Sequence, residues 1–203
     1  MALWKNRQSE NLLSKEIMSE NKDTAPLNPN LIGDKVSLRP ATPDDLLLTH
    51  RWLTVSDPDR IYNSVTRILS PAETADMFRH KRRSEMDTVL MVLDNKEQRP
   101  VGTLTLLDYN SLNRSIELGL LIDPEKRDKG LGSDAVKVIS KYLFMQRGLN
   151  KVYTQLSGFN LSGMKLFESI GFKKDATLRD HHFYQGEYHP TLIYSLLRYE
   201  LDW

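Results

Sequence analysis

Asp123-Pro124-Glu125-Lys126-Arg127-Asp128-Lys129-Gly130-Leu131-Gly132-Ser133 joins a buried strand to the longest amphipathic helix of the chain. Glycines at 130 and 132 let the backbone approach a ligand closely and adopt positive φ. The first amides of the helix that follows have no partners within it and point outward. With the helix dipole they form an anion site, and Arg127 and Lys129 add positive charge beside it. A pyrophosphate is the natural guest. Read alone, the segment is also compatible with a glycine-containing loop that merely starts a helix. A dinucleotide fold fails on context, although Gly130-Leu131-Gly132-Ser133-Asp134-Ala135 satisfies the permissive G-x-G-x-x-A form. Seven residues, Asp123 to Lys129, separate strand from glycines, whereas the dinucleotide turn is tight. The next strand offers Tyr153, Thr154 and Gln155 in place of the acid expected about 20 residues on.

Downstream of the loop, Ala135, Val138, Ile139 and Tyr142 form the i, i+3, i+4, i+7 stripe of a helix that begins near Gly132 and stops at Gly148. Lys151 to Leu156 reads as a strand. Asn160 caps a short helix carrying Leu161, Met164 and Ile170, which Gly171-Phe172 ends. Two last strands flank the turn at Gln185-Gly186-Glu187. Upstream, Ser115 to Ile122 alternates, with Ile116, Leu118, Leu120 and Ile122 on one face and Glu117, Gly119 and Leu121 on the other. Thr88 to Leu93 and Val101 to Leu107 complete a meander with it. Val36 and Leu38 mark a short first strand. Pro43-Asp44-Asp45 starts a helix with acids in its first turn, followed by Leu46, Leu47, Leu48 and Trp52. A second helix starts at Ser70-Pro71-Ala72-Glu73, with Ser70 as N-cap and Glu73 closing a capping box.

Residues 1–33 form a polar N-terminal extension that ends in the turn-prone Pro26-Leu27-Asn28-Pro29-Asn30, and residues 34–203 form one domain. The extension reads as a mobile tail with a docked turn or, alternatively, as a partner or oligomer contact; Leu12, Leu13, Ile17 and Met18 would then line one side of a short helix. The meander requires antiparallel pairing and the strand–helix–strand crossover favours parallel pairing, so the sheet is mixed. The chain has 28 basic and 27 acidic side chains, a balance unlike that of a nucleic-acid binder. It has no cysteine, which excludes disulfides, thiolate metal sites and a cysteine nucleophile. No stretch approaches the roughly 18 apolar residues of a membrane span. The expected setting is the cytoplasm, with no membrane or nucleic-acid partner.

The third reading of the loop is coenzyme A. Arg127-x-x-Gly130-x-Gly132 matches the Gln/Arg-x-x-Gly-x-Gly/Ala signature of the GNAT acetyltransferase superfamily. Glu117-Leu118-Gly119-Leu120-Leu121-Ile122-Asp123-Pro124 resembles the strand-four segment of the branch containing ribosomal-protein, diamine and amino-sugar acetyltransferases. Asn160-x-Ser162-Gly163-x-x-Leu166-Phe167-x-x-x-Gly171-Phe172 and Tyr194-Ser195-Leu196-Leu197-Arg198-Tyr199-Glu200 resemble its later blocks. The four blocks stand in the family's order across residues 35–203.

The resemblance implies an α/β (α+β) fold, a mixed, mostly antiparallel sheet of about six to seven strands with helices on both faces, splayed between strands four and five. It implies acetyl-CoA as cosubstrate, with no metal, held in that cleft. The cofactor contacts it assigns are Leu120, Leu121 and Ile122 for the pantetheine arm, and Arg127, Asp128, Lys129, Gly130, Leu131, Gly132 and Ser133 for the pyrophosphate. Asn160 and Phe167 complete the set near the thiol end. The capping role of Asn160 explains that residue equally well.

Acetyl transfer to an amine needs a free base, yet an alkyl amine of pKa about 10.4 is roughly one part in a thousand neutral at physiological pH. Proton removal and oxyanion stabilisation are therefore required, whereas a covalent enzyme intermediate is not. Glu117 is the preferred general base, through a water; the alternative is a solvated or structurally paired carboxylate. Phe167 departs from the family, which often carries a tyrosine there to protonate the thiolate, and phenylalanine has no proton to give. Tyr184, Ser162, Tyr188 and the histidines His181, His182 and His189 are the candidate substitutes. The blandest reading of the histidines is a polar cluster at a turn. Adjacent His181 and His182 lie on opposite faces of a strand, which argues against a metal. Pro190 stands where the branch usually carries an aspartate.

The acceptor wall is expected from residues 43–85, including His50, Trp52, Asp57, Asp59, Arg60, Tyr62 and Asn63, and from the last hairpin. Lys81-Arg82-Arg83 is too short a basic cluster to imply RNA. The acceptor is a small-molecule amine or a protein N-terminus, and the protein a monomer or homodimer. Two rivals remain: a noncatalytic acyl-CoA-binding protein, and a transferase fed by an acyl-carrier protein.

Overall fold

The computed structural model describes residues 27–42, 44–53, 70, 72, 73, 76 and 86–202. The expected helix at Leu12–Met18, the acidic and aromatic residues from Asp57 to Asn63, and Lys81-Arg82-Arg83 lie outside the described residues. In chain order the elements are β1 (Val36–Pro40), α1 (Asp45–Arg51), β2 (Thr88–Asp94), β3 (Arg99–Asn110) and β4 (Ser115–Ile122). They continue as α2 (Leu131–Met145), β5 (Lys151–Ser157), α3 (Leu161–Ser169), β6 (Lys173–Tyr184) and β7 (Glu187–Leu197).

The strands form one seven-stranded sheet in the order β1-β2-β3-β4-β5-β7-β6. Every neighbouring pair is antiparallel except β4 and β5. The alternation expected along β4 is observed. Ile116, Leu118 and Ile122 belong to the main core, with Leu120 packed against it, together with Ala135, Ile139 and Leu143 of α2. Leu121 lies on the opposite face with Trp52 and Met91. Two apolar layers therefore clamp the sheet, one under α2 and one under the end of α1.

Helix α2 ends as its sequence predicts: Gly148 takes a left-handed φ of 67° and Leu149 N donates to the Leu143 carbonyl at 3.1 Å. The reciprocal capping box is present, with Glu73 N donating to Ser70 Oγ at 3.3 Å and Ser70 N to Glu73 Oε2 at 2.8 Å. Gln185 and Gly186 both have positive φ, 50° and 88°, which makes the β6–β7 connection a two-residue turn of the type that matches strand twist. Just before β1, a short 3₁₀ turn at Pro29–Leu31 inserts Leu31 into the main core. Strand β6 is an edge strand, blunted by register shifts between Lys174 and Ala176 and between Leu178 and His182 and by charged residues along it. Among the described residues, no helix is long and apolar enough to cross a membrane.

Helix α1 forms with Asp45 in its first turn, as expected; Leu47 and Leu48 are 57% and 36% exposed, while Trp52 is 4% exposed. Asp45 does not simply complement the helix dipole. Its carboxylate takes both Arg39 guanidinium nitrogens at 2.6 and 2.9 Å and the Thr42 amide and hydroxyl at 2.7 and 2.8 Å. Burial pushes this carboxyl up, but the Arg39 and Thr42 hydrogen bonds and the Arg39 charge together hold it below the ordinary aspartate value. A folded value below the unfolded one stabilises the protein above the ordinary carboxylate range, and the contribution is lost as pH falls through the folded value. Asp45→Asn leaves a largely buried guanidinium without its counter-charge and is expected to cost about 2–3 kcal/mol in urea unfolding at neutral pH. The gap between variant and wild type narrows on acidification below about pH 4. A gap that stays constant would show that the Asp45 charge contributes nothing.

Candidate active site

Strands β4 and β5 pair at three positions only: Ser115 with Lys151, Ile116 with Val152, and Glu117 with Tyr153. Beyond them the strands part, because each keeps its outer neighbour. Strand β4 stays paired to β3 as far as Ile122 opposite Gly102, and β5 stays paired to β7 as far as Ser157 opposite Thr191. The gap is a cavity of about 680 Å³ whose walls include Glu117–Ile122, Thr154–Leu156 and the first half of α3. Among the described strands none pairs with the facing edges beyond these three rungs, an arrangement that suits an extended guest.

The loop after β4 closes one end. Asp123 caps a 3₁₀ turn over Pro124–Lys126 by accepting from Glu125 N at 3.1 Å. Arg127 then runs extended and its Nε donates to the Ile122 carbonyl at 3.2 Å, anchoring the loop to the end of β4. Asp128 and Gly130 take left-handed φ values of 60° and 76°, and α2 starts at Leu131. The acid in its first turn faces away from the site: Asp134 Oδ2 accepts from the amides of Lys35 and Val36 at 2.7 and 2.9 Å. Lys35 Nζ donates to the Lys129 carbonyl at 3.0 Å. These bonds fasten the loop and helix start to β1 and leave the α2 amides to the cavity. A Cβ on Gly132 would stand 2.9 Å from Leu166 and 3.1 Å from Leu120, so the glycine lets α2 press against β4 and α3.

Helix α3 forms the opposite wall. Asn160 Oδ1 accepts from Gly163 N at 2.9 Å and from Ser162 Oγ at 3.2 Å. Its capping role is thus real, and Asn160, Ser162 and Gly163 also line the cavity. Phe167 lines it too, 3% exposed and edge-on to Phe172 at 5.0 Å. At the end where the strands still pair, half-buried Glu117 accepts from Gln155 Nε2 at 3.1 Å. Tyr153, across from Glu117, has its phenol pushed up by burial and then by the charges of Glu117 and Asp108.

Of the residues singled out by sequence, the cavity gathers Glu117, Ser162, Leu120–Ile122, Arg127, Asp128, Gly130–Ser133, Asn160 and Phe167. Tyr184 and Lys129 are not in its lining. Tyr184 stacks on Phe159 at 4.6 Å, and Phe159 also contacts His182 and His189 at 5.7 and 5.0 Å. Burial lowers the His182 pKa, with His189 and His181 adding to the effect. Among the described residues, no three histidine, aspartate or glutamate side chains are placed to share a metal ion. Pro190 has a structural part: its carbonyl accepts from Gly158 N at 2.7 Å and so fastens the β5–α3 turn to β7. Sequence reading missed Gln155, Lys126 and Lys165, which line the cavity. The period-two alternation of β5 puts Gln155 on the face of Tyr153, but only the β4–β5 register brings that face beside Glu117.

The sheet is thus parted between its parallel pair, with a glycine loop and a helix start at one end of the gap. The family model for the acetyltransferase (GNAT) domain matches residues 35–173, and the chain belongs to that family of N-acetyltransferases. It is 22% identical over 171 residues, 84% of this chain and 94% of the other, to an uncharacterized prophage-derived N-acetyltransferase, YokL, of Bacillus subtilis. It is 23% identical over 165 residues, 81% of this chain and 87% of the other, to the spermidine N(1)-acetyltransferase of Escherichia coli K12. A spermidine N-acetyltransferase from Vibrio cholerae, solved in complex with CoA and spermine, superposes with a TM-score of 0.73 at 21% identity, covering 82% of this chain and 97% of the other.

Proposed function

We propose that this chain transfers an acetyl group from acetyl-CoA to the primary amine of a small cationic acceptor, by direct attack of the amine on the thioester, and that it works in the cytoplasm. The observation that carries this reading is the gap between β4 and β5, with anion-binding backbone at one end and Glu117 at the other. The pyrophosphate sits on the amides of Gly130–Ser133 beside Arg127. The pantetheine arm pairs with the main chain of Leu120–Ile122 as an added strand. Asn160 and Ser162 face its thiol end. Glu117, through a water, takes the proton from the ammonium. The amine nitrogen then bonds to the acetyl carbon, the carbon–sulfur bond breaks, and a proton returns to the thiolate. A coenzyme thiol is acidic, with a pKa on the order of that of cysteine, near 8.5, so departure without a tyrosine at position 167 is chemically reasonable.

The acceptor class rests on the relatives that act on spermidine. A protein N-terminus is the second acceptor class. The test is thiol release from acetyl-CoA by the full chain over a panel of spermidine, amino-sugar nucleotides and short peptides with free N-termini. Turnover with a polyamine supports the reading, and turnover with peptides alone moves the acceptor to a protein. Tight acetyl-CoA binding with no turnover on any amine would favour a noncatalytic binding protein, the role to which Phe167 points.

A further inference from the structure

The hydrogen bond from Gln155 to Glu117 crosses the parting of the sheet. Gln155 lies on β5 two residues beyond Tyr153, and Tyr153 is the last β5 residue paired with β4. Glu117 is the last paired residue on the β4 side. The amide of Gln155 therefore reaches back across the mouth of the gap to hold a carboxylate on the last paired rung before the strands diverge. Both residues line the cavity, and both are half-buried. Gln155 is itself fixed, since its strand neighbour on β7 is Ile193 in an unbroken ladder.

From this geometry we infer that Gln155 is a positioning residue for the general base. It donates to one oxygen, Glu117 Oε2, which fixes the carboxylate plane and directs the other oxygen toward the water that relays the acceptor proton. A neutral donor also favours the ionised carboxylate, the form a base must have. Among the described residues, Tyr153 on β5 feels the charges of both Glu117 and Asp108, the latter near the end of β3. Tyr153 is held protonated by burial and by these charges, and so adds no charge of its own beside Glu117. The inference rests on Glu117 being the base.

The experiment is a set of four proteins, wild type, Glu117→Gln, Gln155→Leu and the double variant, together with Gln155→Glu. Each is assayed for kcat and for acetyl-CoA KM from about pH 6 to about pH 9, and its acetyl-CoA affinity is measured by calorimetry. Gln155→Leu is expected to lower kcat about tenfold with acetyl-CoA affinity unchanged, because a misdirected base loses rate without losing cofactor contacts. The acid limb of its pH–rate profile moves to higher pH, and Gln155→Glu moves it further, since a like charge replaces the donor. In the Glu117→Gln background, Gln155→Leu has little further effect.

Normal kcat and an unmoved acid limb in Gln155→Leu, with Glu117→Gln impaired, would overturn the inference and leave Glu117 as the base. Wild-type turnover by Glu117→Gln would overturn the base assignment and this inference with it. A loss of acetyl-CoA affinity that matches the loss of rate would place Gln155 in the cofactor site and overturn its positioning role.

Discussion

Gly130→Glu is expected to weaken acetyl-CoA binding by at least about 100-fold. Two effects act in the same direction. Gly130 stands at φ 76°, a conformation that costs a residue with a Cβ about 1–3 kcal/mol. The new Cβ would also fall 2.6 Å from Lys35 Nζ, so the lysine must leave the Lys129 carbonyl that it now holds. The glutamate then carries its negative charge to the helix start where the pyrophosphate is to be bound, replacing attraction with repulsion. Gly130→Asn separates strain from charge, because asparagine tolerates the left-handed region and adds no charge. It should bind acetyl-CoA far better than the glutamate variant. Calorimetric titration of the three proteins checks this, with thermal melting to show that each is folded. Wild-type affinity in Gly130→Glu would remove the pyrophosphate from this loop.

Glu117→Gln is expected to lower kcat at neutral pH by about 100-fold, within the range a general base supplies, with acetyl-CoA affinity nearly unchanged. The amide is isosteric and Glu117 sits away from the loop that holds the anion. The second half of the expectation lies in its pH dependence. Without a base, the reaction depends on acceptor that has already lost its proton, and that fraction rises about tenfold per pH unit below the amine pKa of about 10.4. The rate of the variant should therefore climb with pH and approach that of wild type in alkaline buffer. A variant equally slow at all pH values would make Glu117 a structural or acceptor-binding group. A variant as fast as wild type at neutral pH would remove it from the mechanism.

Much of the site was legible in the residues because its parts are local. The loop from Asp123 to Ser133 needs left-handed backbone at Gly130 and free amides at a helix start, and both follow from neighbours a few positions apart. The same holds for the Asn160 cap, the Ser70 and Glu73 capping box and the alternation of β4. The family resemblance supplied what locality does not, the parting of strands four and five. What a local reading does not contain is the distant partner. Asp45 reads as a dipole-complementing acid until Arg39 and Thr42 are brought to it. Tyr184, near the end of an exposed edge strand, stacks on Phe159 of the β5–α3 turn, a contact no periodicity encodes.

What the sequence by itself determined, then, is the set of elements, their buried faces and the glycine loop with its left-handed turn before α2, since each depends on backbone preferences and on short-range patterning. The tertiary structure alone decided how those elements meet. Asp134 holds the amide of Lys35 across 99 residues of chain, which turns the acid of α2 toward β1 and away from the cavity. The β4–β5 ladder stops after three pairs, which opens the cavity and sets Gln155 against Glu117. Such contacts join segments far apart in sequence, and their register follows from the packing of the whole sheet against α2 and α3 rather than from any stretch read alone.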